Sequence, residues 1–305
     1  MKTLPAILLT SLLLHLTPTL LGAPLQIVST LPDFAAIAQS VGGNHVKVQS
    51  LARGTEDSHF VDPRPSFIRT LNRCDALLHS GADLEAGWLT PLVQNARNRR
   101  ILPGQPGNIP LAPAVQLLEI PTGNVDRSQG DIHASGNPHF WLNPTNNFLI
   151  ATYLANQLGQ LDPNNANSYI TNAHNYQTNL EHHIQSWKTQ LAPLSGTRII
   201  TYHKTFEYFA QAFNLQIVNY IEPFPGIEPS PAHITRLIND AKSQNVQLVI
   251  TEPFRPSRTP KLVADSINAQ LVTLPDKVGA QPDITDAISL FDAITSTLLN
   301  STRKK

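Results

Sequence analysis

The chain has 305 residues, and its 22 basic side chains (Lys and Arg) balance its 22 acidic ones. This length is typical of about two domains with sizeable cores. The lack of a basic excess argues against a nucleic-acid partner. The sequence is neither repetitive nor of low complexity, which excludes a solenoid and a disordered chain.

The N-terminus has the pattern of a secretory signal. Lys2 precedes a mostly apolar run from Leu4 to Leu21 that contains no acid, and Ala23 provides a small residue for cleavage. We therefore predict that residues 1–23 are a cleaved signal peptide. The single cysteine, Cys74, lies far from this region, so it forms neither an intramolecular disulfide nor a lipid anchor at the cleavage point. The mature protein is expected to be a soluble periplasmic monomer.

Short β-branched runs alternate with amphipathic helical patterns along both halves of the chain. Strands are predicted at residues 25–30, 46–51, 76–80, 115–120, 198–202, 216–220, 247–251 and 270–274. Helices are predicted at residues 33–42, 65–73, 84–98, 145–160, 204–213, 231–244, 258–268 and 283–300. Strands and helices that alternate with connections of this length are typical of a parallel sheet covered by helices.

The longest helical pattern lies between the two halves. Apolar residues recur every three or four positions up to Leu191, which predicts a rigid helix of about 43 Å. The predicted fold class is α/β, with two lobes of mainly parallel sheets joined by this helix. The predicted units are the signal peptide 1–23, the first lobe 24–161, the linking helix 162–193 and the second lobe 194–305. The cleft between the lobes is the expected ligand site.

Four polar residues occur where a predicted strand or loop leads onward toward a helix. They are His59, His139, His203 and Asp276, separated by 80, 64 and 73 residues in turn. Only tertiary structure can bring residues with such separations together. Three imidazoles and one carboxylate would form a donor set that suits zinc. Because histidines at strand ends are not rare, a buried core histidine is the alternative at each of the three histidine positions.

Six segments of the mature chain carry a family resemblance. They are Glu56–Pro63, Asn137–Pro144, Tyr202–Phe209, Gly226–Pro231, Thr251–Phe254 and Asp276–Gly279. In this order they resemble the hallmark segments of the metal-binding solute-binding proteins of bacterial ABC transporters, the zinc- and manganese-uptake family known as cluster A-I. The resemblance implies a protein that binds a divalent metal and delivers it to an inner-membrane permease.

The resemblance also implies a ligand set and a metal. Carried over position by position, the family's metal ligands fall on His59, His139, His203 and Asp276. In this family, a histidine at the third ligand position goes with zinc members and a glutamate with manganese members. We therefore expect Zn²⁺ as the transported ion, with Mn²⁺ and then iron as alternatives. A metallochaperone that loads the metal is a further partner that the resemblance leaves open.

Three features depart from the family pattern. Asn137 and Lys204 stand where the family usually has aspartate. A lysine that points into the site would weaken metal binding, whereas an exposed one would have no effect. The long His- and acid-rich loop of many zinc members is replaced by the short segment 122–136, which has one histidine, His133. We expect this segment to be an accessory that forms no second tight site.

Two other classes of function stay open at this point. Three histidines can hold a catalytic zinc with water in the fourth position, but Asp276 would close that position and no HExxH pair occurs. Glu228 or Glu252 would be the base of such an enzyme, and Glu252 is also the alternative carboxylate ligand. The second class is a receptor for a non-metal solute, or an adhesin, on the same scaffold. We predict a binding protein and not an enzyme.

Overall fold

The computed structural model of the protein describes residues 23–123 and 133–302. All but one residue of the predicted signal peptide therefore lie outside the described residues, as do residues 124–132 and 303–305. Within the described ranges, no helix is both long enough and apolar enough to cross a membrane.

The first lobe is a four-stranded parallel sheet covered by helices. Its elements are β1 (Leu25–Ser29), α1 (Pro32–Gly42), β2 (Val46–Ser50), α2 (Pro65–Arg73), β3 (Ala76–His79), α3 (Leu89–Asn95), β4 (Asn108–Pro110) and α4 (Pro144–Leu161). The strands pair in the order β2-β1-β3-β4. Residues 76–78 of the central strand β3 are fully buried, because helices cover both faces of a parallel sheet.

The second lobe repeats this architecture. Its elements are β5 (Arg198–Thr201), α6 (Glu207–Phe213), β6 (Gln216–Tyr220), α7 (Pro231–Lys242), β7 (Leu248–Thr251), α8 (Arg258–Ser266), β8 (Gln270–Thr273) and α9 (Ala287–Thr302). All strand pairs are parallel, in the order β6-β5-β7-β8. The two sheets therefore have the same winding, which confirms the predicted fold class.

The helix α5 (Ala166–Leu191) joins the lobes. It has 26 residues, which corresponds to about 39 Å. It packs against α1 and α4 of the first lobe and against α9 of the second. Trp187 of α5 is buried and donates a hydrogen bond from Nε1 to Oδ1 of Asp292 in α9 at 2.7 Å. The helix is thus anchored in both lobes rather than exposed as a free spacer.

The hydrophobic core is shared between the lobes. One cluster of buried side chains extends from the first sheet through α4, α5 and α9 to the side of the second sheet that faces α6. A smaller cluster lies between the second sheet and the helices α7 and α8. Because apolar burial is the main stabilising contribution to folding, the shared core supports the two lobes as one framework around the cleft.

The predicted strand at 115–120 is wrong. The fourth strand of the first sheet is Asn108–Pro110, and residues 115–120 are irregular. Their backbone finds partners outside a sheet: the N–H of Leu118 donates to the hydroxyl of Tyr208 at 2.9 Å, and its carbonyl accepts from the N–H of Asn137 at 2.8 Å. An apolar run is therefore not sufficient for a strand when other groups satisfy its polar backbone.

Several predicted helices are shorter in the structure. The helix predicted at 84–98 covers only Leu89–Asn95; positive φ angles at Asp83 (62°) and Arg97 (54°) flank it. The helices predicted from residues 204 and 283 begin at Glu207 and Ala287. In the second lobe the chain after β5 therefore stays non-helical through residues 202–206, where it contributes to the cleft.

The two lobes meet closely beside the cleft. A Cβ atom added at Gly54 would lie 2.1 Å from the carbonyl carbon of Gly279, so only glycine fits at position 54. Gly279 itself has a φ of 78°, a conformation that glycine adopts without steric cost. Next to it, the N–H of Val278 donates to Oδ1 of Asp33 at 3.0 Å. The segment after β8 is thus bound to the first lobe by backbone contact and by hydrogen bonding.

Candidate metal centre

Three histidines from both lobes form a compact triangle. The ring centroids of His59, His139 and His203 lie 5.1 to 5.3 Å apart. Each ring offers one nitrogen, and these three atoms lie within 4.8 Å of one another. His139 and His203 are buried, at 4% and 3% exposure. A set of imidazole nitrogens at this spacing can bind a transition-metal ion.

The two first-lobe histidines are oriented in the same way by a residue two positions earlier. Oδ1 of Asp57 accepts hydrogen bonds from the backbone N–H of His59 at 3.0 Å and from its ring Nδ1 at 2.9 Å. Oδ1 of Asn137 accepts the equivalent bonds from His139, at 2.9 and 3.0 Å. Because Nδ1 is engaged in both rings, Nε2 is left as the donor atom for a metal.

The third histidine is oriented by a residue far away in sequence. His203 follows β5, and its Nδ1 lies 2.7 Å from Oε2 of Glu222, which follows β6. Its Nε2 is buried and has no hydrogen-bond partner. A buried polar atom without a partner is unfavourable unless a ligand satisfies it. The atom therefore marks the interior of the triangle as a binding position.

Asp276 lies on the wall of the same site but outside the histidine group. It lines an inner cavity of about 10 Å³ together with the three histidines. Its Oδ2 forms a 2.5 Å ion pair with Nζ of Lys277, and its Oδ1 is buried without a hydrogen-bond partner. Trp141 of the first lobe donates from Nε1 to the carbonyl of Asp276 at 2.8 Å. The structure thus brings three predicted residues together and places the fourth beside them.

Arg255 connects the residues that orient the histidines of the two lobes. Its guanidinium lies 2.7 Å from Oε1 of Glu222 and 3.9 Å from Oδ2 of Asp57, so it faces the orienting carboxylates of His203 and His59. It also forms a 3.0 Å ion pair with Oε2 of Glu252. Neither Arg255 nor Glu222 was found by sequence reasoning, since no local motif links either of them to a histidine.

Asn137, which stands where the family usually has aspartate, fits its surroundings. The side-chain amide nitrogen of Asn137 donates to Oε2 of Glu119 at 3.0 Å, to Oε2 of Glu207 at 3.3 Å and to the carbonyl of Lys204 at 2.9 Å. Burial raises the pKa of Glu207 to about 8, with the charge of Glu119 acting in the same direction. An aspartate here would place a third carboxylate beside two others, whereas the amide donates to both.

Lys204, the departure at position 204, is paired with a carboxylate of the first lobe. Nζ of Lys204 forms a 2.6 Å ion pair with Oε1 of Glu119 in the first lobe and lies 5.1 Å above the ring of Tyr220. The side chain is 39% exposed. The lysine is therefore engaged at the edge of the cleft and does not point between the three imidazoles.

His133 has a more central position than the sequence indicated. Its Nε2 lies 3.3 Å from Nε2 of His59, and the two rings stack at a centroid distance of 5.3 Å. The only sequence signal was its place in the loop that leads into the segment of His139, and the spacing did not distinguish it from an accessory histidine. The other residues of its loop that were predicted to be accessory, 124–132, lie outside the described residues.

Burial favours the neutral form of His139, His203 and His133. It lowers the pKa of His139 and of His203 well below the ordinary value, and positive charge on His59 would lower both further. The pKa of His133 falls to about 3 for the same two reasons. Burial alone would raise the pKa of Asp57, but the hydrogen bonds and charge of His59 outweigh it and hold that pKa below its ordinary range. Neutral imidazoles are the form that binds metal.

A comparison with known protein families identifies the family of this chain. The family model described as "ZnuA: Zinc-uptake complex component A periplasmic" matches residues 27–300. The chain belongs to this family. A relative in Streptococcus pneumoniae, the manganese ABC transporter substrate-binding lipoprotein PsaA, is 25% identical over 252 residues, which are 81% of this chain and 78% of PsaA. A putative metal-binding protein of Treponema pallidum is 23% identical and covers 82% of this chain and 78% of its own length.

Solved structures of this family have the same fold. A crystal structure of ZnuA has a TM-score of 0.72 at 25% identity and covers 91% of this chain and 99% of its own. A ZnuA variant with residues 138–173 of its own sequence deleted and zinc bound has a TM-score of 0.73 at 26% identity, with coverage of 91% and 98%. The protein is therefore an extracytoplasmic, metal-binding component of an ABC transporter, whose partners are a metal ion and a membrane permease.

Proposed function

We propose that this protein captures zinc in the periplasm and delivers it to the permease of its transporter. The triangle of His59, His139 and His203, in which an orienting side chain engages each Nδ1 and leaves Nε2 as the donor atom for a metal, is the observation that carries the proposal. Asp276 is the fourth ligand in this proposal. The cleaved signal 1–23, the lobe boundaries 24–161 and 194–305 and the linking helix 162–193 belong to the same proposal.

The donor set favours zinc over manganese. Zinc is bound by four nitrogen, oxygen or sulfur donors in a tetrahedral arrangement, whereas manganese prefers oxygen donors. Three imidazoles with one carboxylate therefore suit zinc. Manganese is the alternative, because PsaA-type relatives are manganese transporter components by name. We expect the residue at position 203 to matter most for this choice, since a carboxylate there would give two oxygen donors.

The contacts of the two candidate carboxylates favour Asp276 over Glu252. Oε1 of Glu252 accepts a hydrogen bond from the hydroxyl of Thr205, Oε2 is held in a 3.0 Å ion pair with Nε of Arg255, and Glu252 is not among the residues that line the inner cavity. Asp276 has one buried oxygen without a hydrogen bond, and an ion in the inner cavity would satisfy it. A ligand role of Asp276 would also close the coordination position that a zinc hydrolase keeps open for water, which supports binding rather than catalysis.

Metal analysis tests the proposal. Protein purified without added metal, then titrated with Zn²⁺ and Mn²⁺ in competition with a chelator, should bind one zinc per chain and prefer zinc to manganese. Asp276→Ala should weaken zinc binding, whereas Glu252→Gln should have a smaller effect because it leaves Asp276 in place. A protein without stoichiometric metal, or a preference for manganese, contradicts the proposal. Loss of binding in Glu252→Gln alone would identify Glu252 as the carboxylate ligand.

A further inference from the structure

A buried lysine lies on the wall of the metal site, next to Asp276. Lys277 is 1% exposed, and in the described part of the chain no other lysine or arginine is buried as deeply. Both Asp276 and Lys277 line the inner cavity together with the three histidines. Because like charges repel, a lysine here opposes the binding of a metal ion. Its role must therefore come from what its ammonium group contacts.

The ammonium group of Lys277 is held by three neighbours. Nζ lies 2.5 Å from Oδ2 of Asp276, donates to the backbone carbonyl of Glu56 at 3.0 Å, and lies 4.5 Å from the centre of the Phe254 ring. A carboxylate, a carbonyl and the face of an aromatic ring all stabilise a buried cation. The ammonium group thus has a defined position, and the oxygen that it fixes belongs to the proposed fourth ligand.

The backbone on both sides of the lysine is also fixed. The carbonyl of Asp276 accepts a hydrogen bond from Nε1 of Trp141 at 2.8 Å. The N–H of Val278 donates to Oδ1 of Asp33 at 3.0 Å. Both partners belong to the first lobe, so the second-lobe segment that carries Lys277 is bound across the cleft. The lysine and the neighbouring carboxylate therefore keep a constant relative position.

The two carboxylate oxygens of Asp276 are not equivalent. Oδ2 is in the ion pair with Lys277, whereas Oδ1 is buried and has no hydrogen-bond partner. A carboxylate that gives both oxygens to a metal would have to withdraw Oδ2 from the ammonium group. A buried cation that loses its partner is strongly unfavourable. Asp276 therefore offers a metal one oxygen, Oδ1.

The size of the inner cavity limits the donors further. Its volume is about 10 Å³, and one water molecule requires roughly 10–15 Å³. The cavity is therefore too small for an ion with a water molecule beside it. On this side of the site, neither a second carboxylate oxygen nor a water can be added. The protein then supplies three imidazole nitrogens and one oxygen, which are four donors.

We propose that Lys277 is a specificity-determining positioning residue: it holds Oδ2 of Asp276, so that the carboxylate binds through Oδ1 alone and the site selects Zn²⁺ over Mn²⁺. Zinc in proteins typically has four donors in a tetrahedral arrangement, whereas manganese favours six, mainly oxygen. A carboxylate limited to one oxygen therefore disfavours manganese more than zinc. The lysine acts through Asp276. This inference rests on the proposed function of zinc binding and adds the residue that sets the metal preference.

The ratio of zinc to manganese affinity tests the role of the lysine. Lys277→Met keeps an unbranched side chain but removes the ammonium group, which frees Oδ2 of Asp276. In competition titrations, the ratio should fall by about tenfold, because manganese gains a second oxygen donor. Lys204→Met is the matched control: it removes a lysine at the edge of the same cleft that pairs with Glu119. Its ratio should stay within about twofold of the wild type, and equal ratios in both variants would overturn the proposal.

A second pair of variants shows whether the lysine acts through Asp276. The side-chain amide of Asp276→Asn has one oxygen, so it has no second oxygen for the loss of the lysine to free. Adding Lys277→Met to Asp276→Asn should therefore leave the ratio of zinc to manganese affinity unchanged. If Lys277→Met lowered the ratio equally in both backgrounds, the lysine would act by another route and the proposal would be wrong.

The zinc complex of the wild-type protein provides a test that needs no variant, and it applies even if Lys277→Met does not fold. A crystal structure of this complex should show one oxygen of Asp276 at about 2.0–2.2 Å from the ion. The other oxygen should still be paired with Nζ of Lys277. Zinc bound by both oxygens of Asp276, or by neither, would overturn the proposal.

Failure of the lysine's role can be distinguished from failure of the proposed function. A wild-type protein that binds no stoichiometric zinc, or that prefers manganese, contradicts zinc binding itself. A wild-type protein that binds one zinc per chain and prefers it, with an unchanged ratio in Lys277→Met, retains the proposed function. In that case only the role of Lys277 is overturned.

Discussion

The two lobes have the same sheet but orient their histidines differently. In the first lobe, Asp57 and Asn137 orient His59 and His139 from two residues away, through bonds to both the backbone and the ring. In the second lobe, His203 depends on Glu222, which is 19 residues away at the end of the next strand. The orientation of the first-lobe histidines is therefore encoded locally, and that of the second-lobe histidine depends on the pairing of strands in the sheet.

The groups that orient His139 and His203 also differ in charge. An amide is sufficient to orient His139, whereas Glu222 is a buried carboxylate whose pKa burial raises and whose companion cation is Arg255. Arg255 also faces Asp57 across the cleft at 3.9 Å. The second-lobe arrangement thus includes a buried ion pair, and the cation of that pair also faces a carboxylate of the first lobe.

The largest expected effect is the loss of this buried cation. Arg255→Met leaves Glu222 and Glu252 buried without their partner, which we expect to lower the free energy of unfolding of the metal-free protein by about 3–5 kcal/mol. Denaturant unfolding measures this quantity. Arg100→Met is the control, since Arg100 is 68% exposed in its pair with Asp75 and should cost less than about 1 kcal/mol. Equal effects of the two variants would show that Arg255 is not a stabilising centre.

The second-largest expected effect is the loss of zinc affinity when any imidazole of the triangle is removed. His59→Ala, His139→Ala and His203→Ala should each weaken zinc binding by about tenfold or more, at least about 1.4 kcal/mol, because a three-donor site must recruit water. Competition titration against a chelator measures the change, with His182→Ala as the control. A His203→Ala protein that titrates like the wild type would remove the second lobe's histidine from the site.

A matched pair of variants tests the comparison between the lobes directly. Asp57→Asn retains an oxygen that accepts both bonds from His59, as Asn137 does for His139, so zinc affinity should fall by only about threefold. Glu222→Gln removes the charge that faces Arg255 and should reduce zinc affinity by about tenfold. Equal losses in the two variants would mean that local and distant orienting residues are equivalent.

The smallest expected effect is the change of zinc affinity with pH. Metal-bound protein carries fewer protons on its histidines than metal-free protein, so acid favours the metal-free form. With the ordinary pKa of about 6.5, three free histidines would make zinc affinity fall steeply just below that pH. Burial and neighbouring positive charge lower the pKa of His139 and His203, so both are already neutral there. Their competition with protons should begin only at more acidic pH.

Zinc competition titrations from pH 8 to 5 check this expectation. Between pH 7.5 and 6.5 the affinity should change by less than about tenfold per pH unit, which corresponds to fewer than one proton per metal. The slope should increase as the pH approaches the lowered pKa values. A release of two or more protons per zinc at pH 6.5 would show that His139 and His203 are charged in the metal-free protein.

Much of the fold could be predicted from local sequence patterns. Seven of the eight strands and the linking helix lie where the spacing of apolar residues indicated them. A helix or strand that buries one face has apolar residues at a regular spacing, and this spacing is visible in the sequence. The prediction failed at residues 115–120, where the hydroxyl of Tyr208 and the backbone of Asn137 satisfy Leu118. Such partners are distant in sequence, and no local pattern contains them.

The sequence by itself determined the two-lobed fold, the family and the three histidines, since each depends on residue types within a short segment. Only the tertiary structure decided how Glu222 and Arg255 orient and connect them, and that Lys204 pairs with Glu119 at the edge of the cleft. It also placed His133 beside His59. The physical reason is that hydrogen bonds and ion pairs act over about 3–4 Å. The order of residues along the chain does not show which groups, distant in sequence, lie that close together in the fold.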